Sequence, residues 1–136
     1  MTIERSTDYA AIRKLLTDPR SYRRMTTEPL ESFVLKPRSE VEIVAVKEAE
    51  ELLAVFLIIQ GIELHFCYSP AVWGRTLAIA KAFLEWAWAN LTTNLLVGPI
   101  PERNRLALKL AKRAGFQEHP GQDGDGITYS PLQRPA

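Results

Sequence analysis

The chain has 136 residues, 46% hydrophobic and 24% charged, which is enough to bury a core and too apolar for a disordered segment. Its net charge of +1 gives the molecule no field that would draw it to nucleic acid or to an anionic membrane. A single cysteine, Cys67, excludes an intramolecular disulfide framework, and no Cys/His spacing suggests a metal site.

In chain order, Thr2 to Asp8 predicts a short strand, after which Tyr9, Ile12, Leu15 and Leu16 fall at helical spacing. Asp8 suits the N-cap of that helix, because its carboxylate can accept from first-turn amides. Asp18-Pro19 breaks the helix, and Pro19 opens a second through Tyr22 and Met25. Thr26 to Ser39, with Pro29 and Pro37, is expected to be loop at its ends. Val41 to Val46 begins a strand, and charged Lys47 to Glu51 makes a turn. Leu52 to Ile59 is a continuous apolar run, as in a strand covered on both faces. Gln60-Gly61 turns again and Ile62 to Tyr68 completes an antiparallel meander.

The period then changes to three and four. Leu77, Ala80, Phe83, Leu84, Ala87 and Leu91 predict a long helix over Trp73 to Leu91, with Ser69-Pro70 as the break before it. Leu95-Leu96-Val97 reads as a short strand, followed by a kink at Gly98-Pro99-Ile100-Pro101. A further helix from about Glu102 to Ala114 is expected to bury Leu106, Ala107, Leu110 and Ala114. Gly115 stands where a left-handed C-cap belongs, with Phe116 folding back on the last turn. Gln117 to His119 and Ile127 to Tyr129 suggest a closing hairpin around a Gly/Asp loop.

These elements describe one α+β domain over 1–136. Residues 1–40 carry a strand and helices, 41–68 the meander, 69–91 a loop and the main helix, and 92–136 a strand, helix and hairpin. The N-terminus has no apolar signal stretch and no apolar run nears the length of about 18 residues that spans a bilayer, so a cytoplasmic protein is expected. Charge is unevenly spread. Glu28 to Glu51 holds seven acids against three bases, whereas Arg103 to Arg113 holds five bases and no acid. The basic run could meet phosphates but reads more simply as a solvated helix face. No aromatic residues interleave with it as stacking platforms, so no nucleic acid is expected.

The join from Tyr68 to Ala78 resembles the acyl-CoA pyrophosphate loop of the GNAT superfamily of N-acyltransferases. There a strand ending near a proline leads into (Gln/Arg)-x-x-Gly-x-(Gly/Ala) at the start of the main helix. Unpaired amides and the helix dipole at such a start favour a diphosphate. Asn104-x-x-Ala107-x-x-Leu110, ending in Gly115-Phe116, is similar to the family's final helix, Asn-x-x-Ala-x-x-Leu-Tyr-x-x-x-Gly-Phe. The resemblance covers about Val41 to Tyr129. It implies a mixed, mostly antiparallel central sheet of six to seven strands flanked by about four helices.

By that resemblance, Phe66, Cys67 and Tyr68 would line pantetheine, mostly through backbone. Trp73, Gly74, Arg75, Thr76, Leu77 and Ala78 would surround pyrophosphate, and Asn104 would orient the thiol end. A backbone amide around Phe66 to Tyr68 would polarise the acyl carbonyl. The match is degenerate. Trp73 stands for the Gln/Arg, Thr76 for the central glycine, and Ala111 for the tyrosine that serves as general acid. Glu63 and His65 alternate onto one strand face and are the candidate bases, through water or directly. Buried, hydrogen-bonded strand residues are the plainer reading of each. Cys67 reads as an inert buried thiol, His119 as a surface residue, and Ser69 lacks a nucleophile elbow. Glu28 and Glu31 could greet a cationic amine.

Two functions follow. One is acetyl-CoA-dependent N-acetylation of an unknown amine by direct attack. The other is a non-catalytic structural or assembly role with a protein partner, as in small bacteriophage proteins with GNAT-like folds, whose length and degenerate loops this chain resembles.

Overall fold

A computed structural model describes residues 1–25, 30, 38–120 and 126–136. The expected loop at Thr26 to Ser39, and with it Glu28 and Glu31, falls almost wholly outside the described residues. Seven strands form one sheet: β1 (Thr2–Arg5), β2 (Val41–Glu48), β3 (Glu51–Ile59), β4 (Glu63–Tyr68), β5 (Leu95–Pro101), β6 (His119–Pro120) and β7 (Ile127–Gln133). The helices are α1 (Tyr9–Leu16), α2 (Pro19–Met25), α3 (Thr76–Asn90) and α4 (Arg105–Arg113). The strand order is β1-β2-β3-β4-β5-β7-β6, and β4 with β5 is the parallel pair. The expected α+β class, sheet and helix number are all present.

The meander is built by short turns. Ala49 and Glu50 (φ 51° and 67°) join β2 to β3, and Gln60 and Gly61 (φ 52° and 74°), followed by Ile62, join β3 to β4. Positive φ at both turn positions matches the twist of the flanking strands. The first turn is therefore tighter than Lys47 to Glu51, and β2 runs on to Glu48. Asp8 caps α1 as expected, accepting from the Ala11 amide at 3.3 Å.

Residue alternation sends the two faces of β3 and β4 into separate cores. Phe56, Leu64 and Tyr68 pack against Ile79, Phe83 and Leu84 of α3, with Phe56 and Phe83 stacked at a centroid distance of 3.9 Å. On the other face Val55 and Cys67 pack against Ile12, Leu15 and Leu16 of α1. β3 is thus covered on both sides, which is why its sequence is apolar without alternation.

Three elements differ from the sequence reading. The main helix begins at Thr76, not Trp73, because Pro70 to Arg75 forms a 3₁₀ segment broken at Val72 (φ −114°). β5 does not kink at Gly98 but pairs with β7 through Pro101. α4 begins at Arg105 behind an Asn104 N-cap, and it leaves Leu106 60% exposed while burying Leu108 and Ala111. The Gly115 C-cap forms as expected (φ 105°), with the Phe116 amide donating to the Ala111 carbonyl. No helix among the described residues is long and apolar enough to cross a membrane.

Candidate acyl-CoA cleft

The site begins with a parting of strands. β4 and β5 pair at one position, Glu63 with Val97, where the Val97 amide donates to the Ile62 carbonyl at 2.9 Å. Beyond it they separate, and the cause is written in β5. Backbone N–H groups alternate sides along a strand, so the edge of β5 that faces β4 carries Val97, then Pro99, then Pro101. Proline has no N–H, so the ladder toward β4 cannot continue. The other edge keeps the amides of Leu96, Gly98 and Ile100, which is how β5 still pairs with β7. The same pair of prolines that reads as a kink in sequence thus opens a gap inside the sheet.

On the β4 side, Glu63, His65 and Cys67 turn their backbone toward β3. Phe66 and Tyr68 therefore turn theirs into the gap. The Tyr68 carbonyl accepts from the Ser21 hydroxyl of α2 at 3.2 Å. A cleft of about 320 Å³ occupies this region, a size in the range of small-molecule sites. Phe66, Tyr68, Thr76 and Leu77 wall it from one side, and Ser21 and Cys67 reach it from the α1/α2 face. Residues of both sheet faces line it along the end of β4.

Its mouth is cationic. Lys109 and Arg113, one turn apart on α4, line it together with exposed Leu106 and Trp73, and among the described residues no carboxylate belongs to the lining. Thr76 and Leu77 bring the first turn of α3, whose N-cap residue, Arg75, makes no side-chain cap bond. Backbone amides at such a start, with two cations opposite, suit a phosphorylated ligand.

Of the sequence-predicted cofactor residues, Phe66, Cys67, Tyr68, Trp73, Thr76, Leu77 and Asn104 line this cleft. Gly74, Arg75 and Ala78 do not; all three residues are exposed. The late start of α3 is the reason, since it leaves Gly74 and Arg75 on the 3₁₀ segment and turns Ala78 away from Thr76. Arg75 forms a two-pronged ion pair with Glu48, at 3.3 and 3.1 Å, and this holds the Glu48 carboxyl below its ordinary range. A Cβ on Gly74 would meet nothing within 4 Å, so the space there makes no demand for glycine. Asn104 spends its side-chain oxygen on the Ala107 amide as the α4 cap.

Burial holds the Cys67 thiol at a pKa of about 11, an inert state, and also pushes the Tyr68 phenol up. Glu63 and His65 lie outside the cleft lining but meet each other, His65 Nε2 and Glu63 Oε2 being 2.8 Å apart. Both are partly exposed, at 46% and 40% of their side chains. They project to the same face as Cys67, two and four residues before it on β4.

Sequence reasoning missed Ser21, Ala107, Leu110, Leu106, Lys109 and Arg113 as cleft residues. For the last three a signal existed: 106, 109 and 113 fall on one helical stripe that mixes an apolar residue with two cations.

No protein-family model matches the chain, and no curated protein matches it by sequence. Solved structures do match. An aminoglycoside acetyltransferase, AAC(6')-Ib, in complex with coenzyme A and kanamycin superposes with a TM-score of 0.75 at 14% identity, over 98% of this chain and 94% of that one. The Campylobacter jejuni N-acetyltransferase PseH in complex with acetyl coenzyme A gives 0.64 at 15% identity, over 98% and 100%. The GNAT domain of S. lividans PAT gives 0.72 at 16% identity, over 96% and 89%. Identities this low speak to backbone alone. At that level the answer is consistent across the whole chain: it has the fold of the GNAT acetyltransferases.

Proposed function

We propose that this chain is an N-acetyltransferase that takes acetyl-CoA in the cleft between β4 and β5 and acetylates an amine arriving from the α1/α2 face. The observation that carries the reading is the cleft itself, lined by residues of both sheet faces and by the Lys109 and Arg113 cations. Neighbours of the same fold in complex with coenzyme A or acetyl coenzyme A add support.

Bound acetyl-CoA would supply the activated acyl thioester. Lys109 and Arg113 would hold its phosphates with the α3 first-turn amides, while Thr76, Leu77 and Trp73 flank them. The amides of Phe66 and Tyr68 face the gap and would polarise the acyl carbonyl, an oxyanion-type contact. His65 would accept the amine proton, with Glu63 fixing the orientation of its ring. Ala111 can donate no proton, and Tyr68, whose phenol lines the same cleft, could offer the leaving thiolate a hydrogen bond.

Calorimetric titration with acetyl-CoA tests this directly. Saturable one-to-one binding is expected, weakened roughly two- to fivefold in each of Lys109→Ala and Arg113→Ala, as for partly exposed ion pairs. With an accepted amine, His65→Gln should lower kcat by about 10²-fold or more while leaving acetyl-CoA affinity unchanged. Absence of binding at millimolar acetyl-CoA would instead favour a non-catalytic assembly protein on this fold.

A further inference from the structure

Behind the cleft lies a second, smaller space of about 20 Å³. It sits on the α3/α4 side of the parted strands and shares Phe66, Tyr68 and Leu110 with the cleft wall. Large apolar side chains such as Phe56, Phe83 and Ile100 form part of its wall, while Gly98 of β5, Ala80 of α3, and Ala111 and Ala114 at the end of α4 are the small residues beside it. Only Tyr68 among its lining side chains carries a polar atom, so water would find few partners there. On this measure roughly 10–15 Å³ holds one water, so the space admits about one or two methylene groups.

From this geometry we infer that the site takes acyl-CoA thioesters with an acyl chain longer than acetyl, with propionyl or butyryl carbons entering the apolar space at Ala111. The inference rests on the acyl-CoA reading of the cleft and extends it. An acetyl group has no carbon to send into the space, whereas each further methylene removed from water there strengthens binding by roughly fourfold. The void and the cleft share the Phe66 and Tyr68 wall, so an occupant attached to a thioester in the cleft would enter the void past these two residues.

The test is calorimetric titration of the chain with CoA, acetyl-CoA and butyryl-CoA, repeated in Ala111→Phe. The expected result is butyryl-CoA binding about tenfold tighter than acetyl-CoA, with that preference lost in Ala111→Phe and CoA affinity kept. Should the larger side chain impair folding, Gly98→Ala fills the space from the opposite wall. Its added Cβ meets only the Leu64 and Ser130 carbonyls, at 3.7 and 3.9 Å, which are ordinary contacts. Equal binding of acetyl- and butyryl-CoA, or a preference unmoved by either substitution, would overturn the longer-chain inference and leave the acyl-CoA cleft standing. Absence of binding by all three ligands would overturn the cleft reading, and the inference with it.

Discussion

At the scale of single residues, environment decides chemistry more than identity does. Cys67 is a cleft residue yet not a nucleophile, because burial opposes the thiolate and raises its pKa to about 11. Against the ordinary value of 9.0, that leaves about a hundredfold less thiolate at pH 8. Alkylation by iodoacetamide at pH 8 should therefore be at least about a hundredfold slower than that of an exposed cysteine. The linkage has a definite sign. The folded form keeps its proton longer than the unfolded one, so this contribution to stability is intact below about pH 9 and declines as pH rises toward about 11. A rapidly labelled Cys67 in the folded chain would mean that the α1/α2 face is not packed as described. His65 and Glu63 are the contrast: both are partly exposed and in mutual contact.

Among elements, the decisive one is β5. The sequence reading treated Gly98-Pro99-Ile100-Pro101 as the end of a strand, which is the usual meaning of paired prolines. The structure turns the same residues into an edge that cannot donate on one side and pairs normally on the other. Pro99→Val should restore an N–H facing the Leu64 carbonyl and let β5 close on β4. The hydrogen bond gained, about 0.5–1.5 kcal/mol, is offset by the more flexible unfolded chain. Stability in urea should then move by less than about 1 kcal/mol, while acetyl-CoA affinity falls at least tenfold. Undiminished binding in that variant would show that something other than the prolines holds the gap open. α4 teaches a related lesson. Its stripe of Leu106, Lys109 and Arg113 looked like a buried leucine plus a solvated basic face, and it became one wall of a cleft. Periodicity identified the helix and could not say what lay opposite each face.

Across the whole molecule, one contact clasps the end of the chain to its middle. Arg134 donates to the carbonyls of Trp88, Leu91 and Thr93, reaches Asn94 Oδ1, and lies over the Trp88 ring at 5.1 Å. The last turn of α3 has no basic residue of its own, so this distant guanidinium satisfies its terminal carbonyls and complements its dipole. Arg134→Ala should cost about 2–3 kcal/mol, read as a lower urea midpoint at unchanged slope. Arg134→Lys should recover less than half of it, because an ammonium cannot span the same fork of acceptors. An alanine variant as stable as the parent would show that the clasp is decorative.

Local and nearest-neighbour physics is legible in a sequence, and here it was enough for the meander, the α1 cap, the Gly115 stop, the two late helices and, through the Asn104 to Phe116 spacing, the fold. These depend on alternation, helical period and turn conformations, each contained within a few residues. What the tertiary structure alone decided was which edges and faces meet. The gap at Pro99, the cleft beside β4, the commitment of Arg75 to Glu48 and the Arg134 clasp all join residues far apart in the chain. Their energies depend on distance in space, and a one-dimensional pattern carries no record of it.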